Sequence, residues 1–199
     1  HGPGNDDLDF AGTPNLFEAA GRDVVGLGNK DGHYYAVDRQ SGIGVWEAKP
    51  TGPTITRPGS NYSTGGIIGP STVVDGVVVV TSAGDRGPFL HGIDADDGRV
   101  LWQQRAADAT YGGATGVNDV AFSGGNDFTL RAVDVRTGRV RWSPEMRGVV
   151  AAAPAIVGDR VVAVAGLREP GSATRSTSSG IYLFGFRDEL PALIKGEAA

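Results

Sequence analysis

The sequence predicts an all-β chain built from repeated four-stranded units, and three observations carry that prediction. A nine-residue frame, Asp, three residues, Gly, three residues, Trp, occurs as "DRQSGIGVW" (Asp38–Trp46), "DADDGRVLW" (Asp94–Trp102) and "DVRTGRVRW" (Asp134–Trp142), and these frames use every tryptophan in the chain. Their starts are spaced by 56 residues (38 to 94) and then 40 (94 to 134), and the shorter spacing is that of a propeller blade, roughly 40 to 50 residues. Across 199 residues, 32 Gly and 11 Pro break the apolar runs into short pieces, which favours strands joined by turns over long helices. About four blades of a β-propeller follow. The excess in the first spacing falls in one Gly/Pro/Ser/Thr-rich loop, "PTGPTITRPGSNYSTGG" (Pro50–Gly66).

Taken in order, the first blade spans about 9–48 and reads as strands in "PNLFEA", "DVVGLG", "YYAVD" and "IGVWEA". The second, 67–104, shows the pattern most fully. Its strands are "STVV" (Ser71–Val74), "VVVVTS" (Val77–Ser82), "FLHGID" (Phe89–Asp94) and "RVLWQQ" (Arg99–Gln104), separated by Asp-Gly, a Gly-rich loop and another Asp-Gly. The third, 110–143, compresses the same order around "DVAFSGG" and "LRAVD", and the fourth, 150–186, runs from "APAIVGDRVVAVAG" to "IYLFGF" before a polar tail at 187–199. No fourth copy of the frame follows.

The frame has a physical reading. Its Asp closes a third strand, where a short carboxylate accepts backbone N–H groups of the turn, and its Gly takes the positive φ that a tight hairpin requires. The Trp four residues later lies on the outer strand, where a large flat side chain covers the neighbouring blade. These residues are architectural, and none of them is a catalytic candidate.

Composition excludes several functions. A net charge of -5 argues against a nucleic-acid surface, which needs a clustered excess of Lys and Arg. The longest apolar run, "GVVVV" at Gly76–Val80, falls far short of the ~20 residues of a membrane-spanning helix. With no cysteine in the chain, disulfides, thiolate metal sites and Cys nucleophiles are excluded. His33 and His91 fall at comparable places beside third strands, as repeat geometry would put them, His1 is terminal, and no zinc site or His-based catalytic site is expected from them.

Extending the frame to Ala-x-Asp-x3-Gly-x3-Trp, seen at Ala36–Trp46 and Ala132–Trp142 and with Gly92 in place of Ala in the middle copy, gives the tryptophan-docking motif of quinoprotein propellers. The chain resembles the C-terminal half of a pyrroloquinoline quinone (PQQ)-dependent alcohol dehydrogenase, and within that group the polyvinyl alcohol dehydrogenase-like branch. The similarity is densest in "DLDFAGTPNLF" (Asp7–Phe17) and "VVGLGNKDGHYYAVDRQSG" (Val24–Gly42). The resemblance implies an eight-bladed propeller holding PQQ and calcium near its axis, an exported or periplasmic location, an alcohol substrate and a separate electron acceptor.

Residue by residue, it implies that Asp9 in "DLDF" accepts the substrate's hydroxyl proton and that Lys30 in "NKDG" contacts the quinone oxygens. Lanthanide-using relatives carry an acid two positions after the base; here that residue is Ala11, so calcium is the implied metal. The metal-binding Glu and Asn of the family belong to blades N-terminal to this chain. "GGIIGP" (Gly65–Pro70) lacks the aromatic that the family often places after the first docking Trp. The remaining blades, or a second copy of the chain, are therefore implied as partners. A non-catalytic propeller serving as a protein-interaction scaffold in the cell envelope is the alternative function.

One expectation needs no relative. In an up-and-down blade, strand 2–3 loops and interblade links share one face, and the strand 1–2 and 3–4 turns share the other. Asp9 precedes a first strand and Lys30 lies in a strand 2–3 loop, so they belong on one face. The two long insertions, Pro50–Gly66 and "LREPGSATRSTSSG" (Leu167–Gly180), belong there too. Binding groups concentrate on such loops.

Overall fold

The computed structural model describes residues 8–56, 63–84, 87–105, 107, 109–166 and 178–185. Three four-stranded antiparallel sheets and one three-stranded sheet follow each other along the chain. Blade 1 contains β1 (Asn15–Ala19), β2 (Arg22–Gly28), β3 (Tyr34–Asp38) and β4 (Gly44–Ala48). The loop after it carries a short ribbon, β5 (Ile55–Thr56) paired with β6 (Ser63–Thr64), which composition alone did not reveal. Blade 2 comprises β7 (Thr72–Val74), β8 (Val77–Thr81), β9 (Leu90–Asp94) and β10 (Val100–Gln104), and blade 3 comprises β11 (Ala114–Val117), β12 (Val120–Gly124), β13 (Leu130–Asp134) and β14 (Val140–Trp142). Blade 4 shows β15 (Ala155–Val157), β16 (Arg160–Ala165) and β17 (Gly180–Phe184). Phe186, the tail at 187–199 and most of the Leu167–Gly180 insertion lie outside the described residues.

Strand 3 fixes the blades' common register. Val24 faces Asp38, Val77 faces Asp94 and Val120 faces Asp134; at the other end Gly28, Thr81 and Gly124 face Tyr34, Leu90 and Leu130. The core lies between blades. Tyr34 of blade 1 packs with Val78, Val80, Ile93 and Ala95 of blade 2, and Val77, Val79 and Leu90 of blade 2 pack with Ala121, Val133 and Val135 of blade 3. A strand buried on both sides in this way has no polar alternation, which is why β8 reads as four consecutive valines.

The docking frame behaves as its chemistry dictates. Asp38 accepts from the Gln40 and Ser41 N–H groups at 3.1 and 2.8 Å, and Asp134 from those of Arg136 and Thr137 at 3.1 and 2.9 Å. The Arg141 guanidinium and the Thr137 hydroxyl hold the Asp134 carboxyl well down, at about 2. Gly42, Gly98 and Gly138 all have φ near +70°. Each inner tryptophan reaches the following blade: Trp46 Nε1 donates to the Ala95 carbonyl at 3.0 Å and Trp102 Nε1 to that of Val135 at 2.6 Å. The indoles lie on the turn glycines of that blade, where a Cβ on Gly98 would come within 2.7 Å of Trp46 and one on Gly138 within 2.5 Å of Trp102.

Candidate functional site at the loop face of blade 1

Asp9 and Lys30 meet. The Lys30 Nζ lies 3.7 Å from Asp9 Oδ2, and the Lys30 N–H donates to the Asp9 carbonyl at 3.1 Å. Asp9 keeps 63% of its side chain exposed and Lys30 only 17%, so the ammonium is held under a carboxylate that opens to solvent.

The backbone bond recurs in the other blades, and this separates architecture from chemistry. Ala83 N–H donates to Gly66 at 3.2 Å, Asn126 N–H to Ala109 at 3.0 Å, and, in blade 4, Gly166 N–H to Val149 at 3.1 Å. Position 9 therefore corresponds to Gly66, Ala109 and Val149, and position 30 to Ala83, Asn126 and Gly166. The link residue that follows donates to the preceding blade: Ile67 to Asn29, Thr110 to Ser82 and Val150 to Gly125. These bonds stitch links and strand 2–3 loops into one face, as the topology requires. They need no side chain, yet blade 1 places a carboxylate and an ammonium where blade 2 has Gly and Ala and blade 3 has Ala and Asn.

The Lys30 loop is rigid for identifiable reasons. Thr54 donates to the Lys30 carbonyl through its N–H and its hydroxyl, at 2.6 and 2.9 Å, so the long link is folded down onto this loop. Gly66, with φ +67°, passes so close that a Cβ would sit 2.4 Å from the Lys30 oxygen. Glycine is required there both by conformation and by space.

Beside the pair, the Asp31 carboxylate accepts from the His33 N–H at 2.8 Å and the Tyr35 hydroxyl at 2.5 Å. Burial pushes the Asp31 carboxyl upward, but the Tyr35 hydroxyl and the His33 N–H outweigh it and leave it below the usual range. The same bond raises Tyr35 to about 12. This cluster also has a counterpart: Asp127 accepts from Thr129 N–H at 3.2 Å and from Arg131 Nη1 at 3.1 Å. Asp31 is thus a loop brace, and sequence spacing hinted at it through Asp-x3-Tyr in blade 1 and Asp-x3-Arg in blade 3.

The histidines occupy different places from one another. His33 precedes β3, whereas His91 lies within β9 at the register of Tyr35 and Arg131. The His91 ring is fully buried, with Nε2 3.0 Å from Ser82 Oγ and Nδ1 3.2 Å from Gln103 Nε2, which also donates to the Pro50 carbonyl at 2.8 Å. Desolvation lowers His91 to about 4, so a neutral ring ties the start of the long link to blade 2.

A largely shielded ammonium beside an open carboxylate can donate hydrogen bonds to the carbonyl oxygens of a planar ligand, and the Asp9–Lys30 pair fits the quinone end of PQQ in that respect. Calcium is less well served: it takes six to eight oxygens, and among the described residues no group of three or more His, Asp or Glu side chains is placed to hold a metal ion.

Repeated four-stranded blades, docked by tryptophan and stitched by links on one face, define the PQQ-type β-propeller. The chain belongs to the family PQQ_2, described as outer membrane protein assembly factor BamB, which matches residues 30–175. No curated protein matches the sequence. Among solved structures, BamB from Moraxella catarrhalis is similar with a TM-score of 0.53 and 17% identity, covering 77% of this chain and 43% of that one. The quinohemoprotein alcohol dehydrogenase ADHIIG from Pseudomonas putida HK5 is similar at 0.58 and 17%, covering 81% and 29%. The computationally designed Ika4 protein is similar at 0.59 and 15%, covering 90% and 92%. The chain thus spans less than half of the bacterial BamB and less than a third of the dehydrogenase.

Proposed function

We propose that this chain supplies the half-site of a PQQ-dependent alcohol dehydrogenase, with Asp9 as proton acceptor and Lys30 as the partner of the quinone oxygens. The observation that carries the reading is the contrast across the repeat: the backbone bond between positions 9 and 30 is common to all four blades, while opposite charges occupy those positions in blade 1 alone among them. The finer resemblance to the polyvinyl alcohol dehydrogenase-like branch belongs to this reading and rests on the "DLDF" and "NKDG" stretches that contain the pair. So do a calcium ion liganded from outside this chain, an electron acceptor, and a periplasmic or secreted location.

When bound, PQQ would supply acceptance of the hydride. The protein's part is electrostatic and positional. Lys30, largely shielded from water and fixed by Thr54 and Gly66, presents a cation that favours negative charge building on a ligand oxygen. Asp9, open to solvent, receives the alcohol proton on a carboxylate oxygen. Its ion pair with Lys30 keeps that carboxylate from swinging away.

In the chain completed by its neighbouring blades, Asp9→Asn is expected to retain PQQ binding and lose on the order of 10² to 10⁴-fold in alcohol oxidation. Lys30→Ala is expected to lose about 10² to 10³-fold. Equilibrium titration with PQQ and calcium, followed by dye-coupled oxidation, reads both. A completed wild-type protein that neither binds PQQ nor turns over alcohol would leave the second reading, an envelope protein-interaction propeller, which family membership favours.

A further inference from the structure

The first residues of the long link, Pro50 to Thr54, form a strap held at both ends. At one end Thr54, itself buried, donates to the Lys30 carbonyl through its N–H and its hydroxyl. Between the ends the strap lies directly on the Lys30 loop, where a Cβ on Gly32 would collide with the carbonyl groups of Thr51 and Gly52. At the other end the Pro50 carbonyl accepts from Gln103 Nε2 of β10 at 2.8 Å. The same nitrogen lies 3.2 Å from Nδ1 of His91, its partner across the sheet.

Among the described residues this arrangement belongs to blade 2. Position 91 corresponds to Tyr35 and Arg131, and those side chains are tied to Asp31 and Asp127 of their own loops. His91 bonds Ser82 and Gln103 instead. The ring sets the orientation of the amide. With its proton on Nε2, toward Ser82, a neutral imidazole accepts one Gln103 N–H at Nδ1 and leaves the second for Pro50. A charged ring carries a proton on Nδ1 as well, so the amide must turn its oxygen to the ring, and an oxygen cannot bond the Pro50 carbonyl. The ring is flanked in the sheet by Val80 of β8 and Gln103 of β10, and desolvation alone, with no carboxylate or cation contributing, lowers its pKa.

We infer that Gln103, oriented by His91, is a positioning residue for Lys30: it anchors the Pro50 end of the strap whose Thr54 end fixes the Lys30 loop. A side chain on the outer strand of blade 2 thereby controls how firmly blade 1 holds its candidate cation. The use of that firmness, keeping the ammonium aimed at a quinone oxygen, rests on the proposed function, whereas the coupling itself does not.

Amide hydrogen exchange on the full chain reads the coupling without PQQ. Gln103→Met keeps the length of the side chain and removes the donor. Protection at the Lys30 and Thr54 amides is expected to fall at least about tenfold, while β12 and β13 of blade 3 keep theirs. The unsubstituted chain supplies a second readout. As the His91 ring is protonated toward about pH 4, followed by its Cε1–H resonance, the Thr54 amide is expected to shift with the same midpoint. His91→Gln is expected to abolish that shared step. Undiminished protection at Lys30 and Thr54 in Gln103→Met, or a loss spread evenly into blade 3, overturns the inference. So does a ring that titrates without moving Thr54, or a step that survives His91→Gln and therefore belongs to Asp9 or Asp31. Should Gln103→Met fail to fold, the ring titration decides alone. In the chain completed by its neighbouring blades, Gln103→Met is also expected to weaken PQQ binding on the order of tenfold, through lost preorganisation. A completed wild-type protein that binds no PQQ refutes the proposed function and leaves the coupling to stand on exchange and titration.

Discussion

Blade 2 and blade 1 carry the same strands in the same register and differ in what covers them. β8 is buried at every position, and the indoles of Trp46 and Trp102 bracket blade 2 on its two sides. β2 alternates buried and half-buried residues from Val24 onward, because among the described residues no blade packs on its odd face. The lesson is that stability in this architecture resides in the contacts between blades. A lone sheet of four short strands has too little apolar area of its own, and stacking creates the core.

The largest effect should come from the docking tryptophans. Trp102→Ala removes an indole held between Gly92 and Gly138 together with its hydrogen bond to Val135, at an expected cost of about 3 to 5 kcal/mol. Trp142, 39% exposed, should cost only about 1 to 2 kcal/mol when replaced by Ala. Urea midpoints for the two variants check the order, and equal losses would break the distinction between covered and open blades.

His91 should give the next largest effect, and it is specific to blade 2. Its pKa falls from an ordinary 6.5 to about 4, so the unfolded chain binds the proton that the folded one refuses. Stability is then full above about 6.5 and declines as pH falls toward 4, by on the order of 3 kcal/mol across that window. His91→Gln is expected to flatten this part of the profile. A wild-type curve without a slope between pH 6.5 and 4 would mean that the ring charges without penalty.

The smallest effect belongs to the open face. Leu16→Ser is expected to change the stability of the chain by less than about 0.5 kcal/mol, since the side chain covers little. A large loss would show that Leu16 is already covered.

Much of this was legible in sequence because it is local or periodic. Asp-x3-Gly-x3-Trp fixes a hairpin through a short acceptor, a positive-φ glycine and an aromatic at fixed offsets, and all three follow from the chemistry of a few adjacent residues. The topology of a blade also put Asp9 and Lys30 on one face without coordinates. Other features were not legible. The ribbon of β5 and β6 sits in a stretch whose composition reads as loop, and the Thr54 clamp on Lys30 joins residues 24 apart that no motif links.

The sequence by itself determined the repeat, the turn chemistry and the docking residues, since hydrophobic period and turn residues act over a few positions; the candidate pair came from the family resemblance, and blade topology put its two members on one face. Only the tertiary structure decided which of those residues are equivalent, that charge at positions 9 and 30 is not demanded by the blade, that His91 is buried neutral, and that, among the described residues, Gly42 is open where Gly98 and Gly138 are covered. Each of these depends on how one blade lies on the next. That relation joins side chains tens of residues apart, through packing that leaves no periodic trace in the chain.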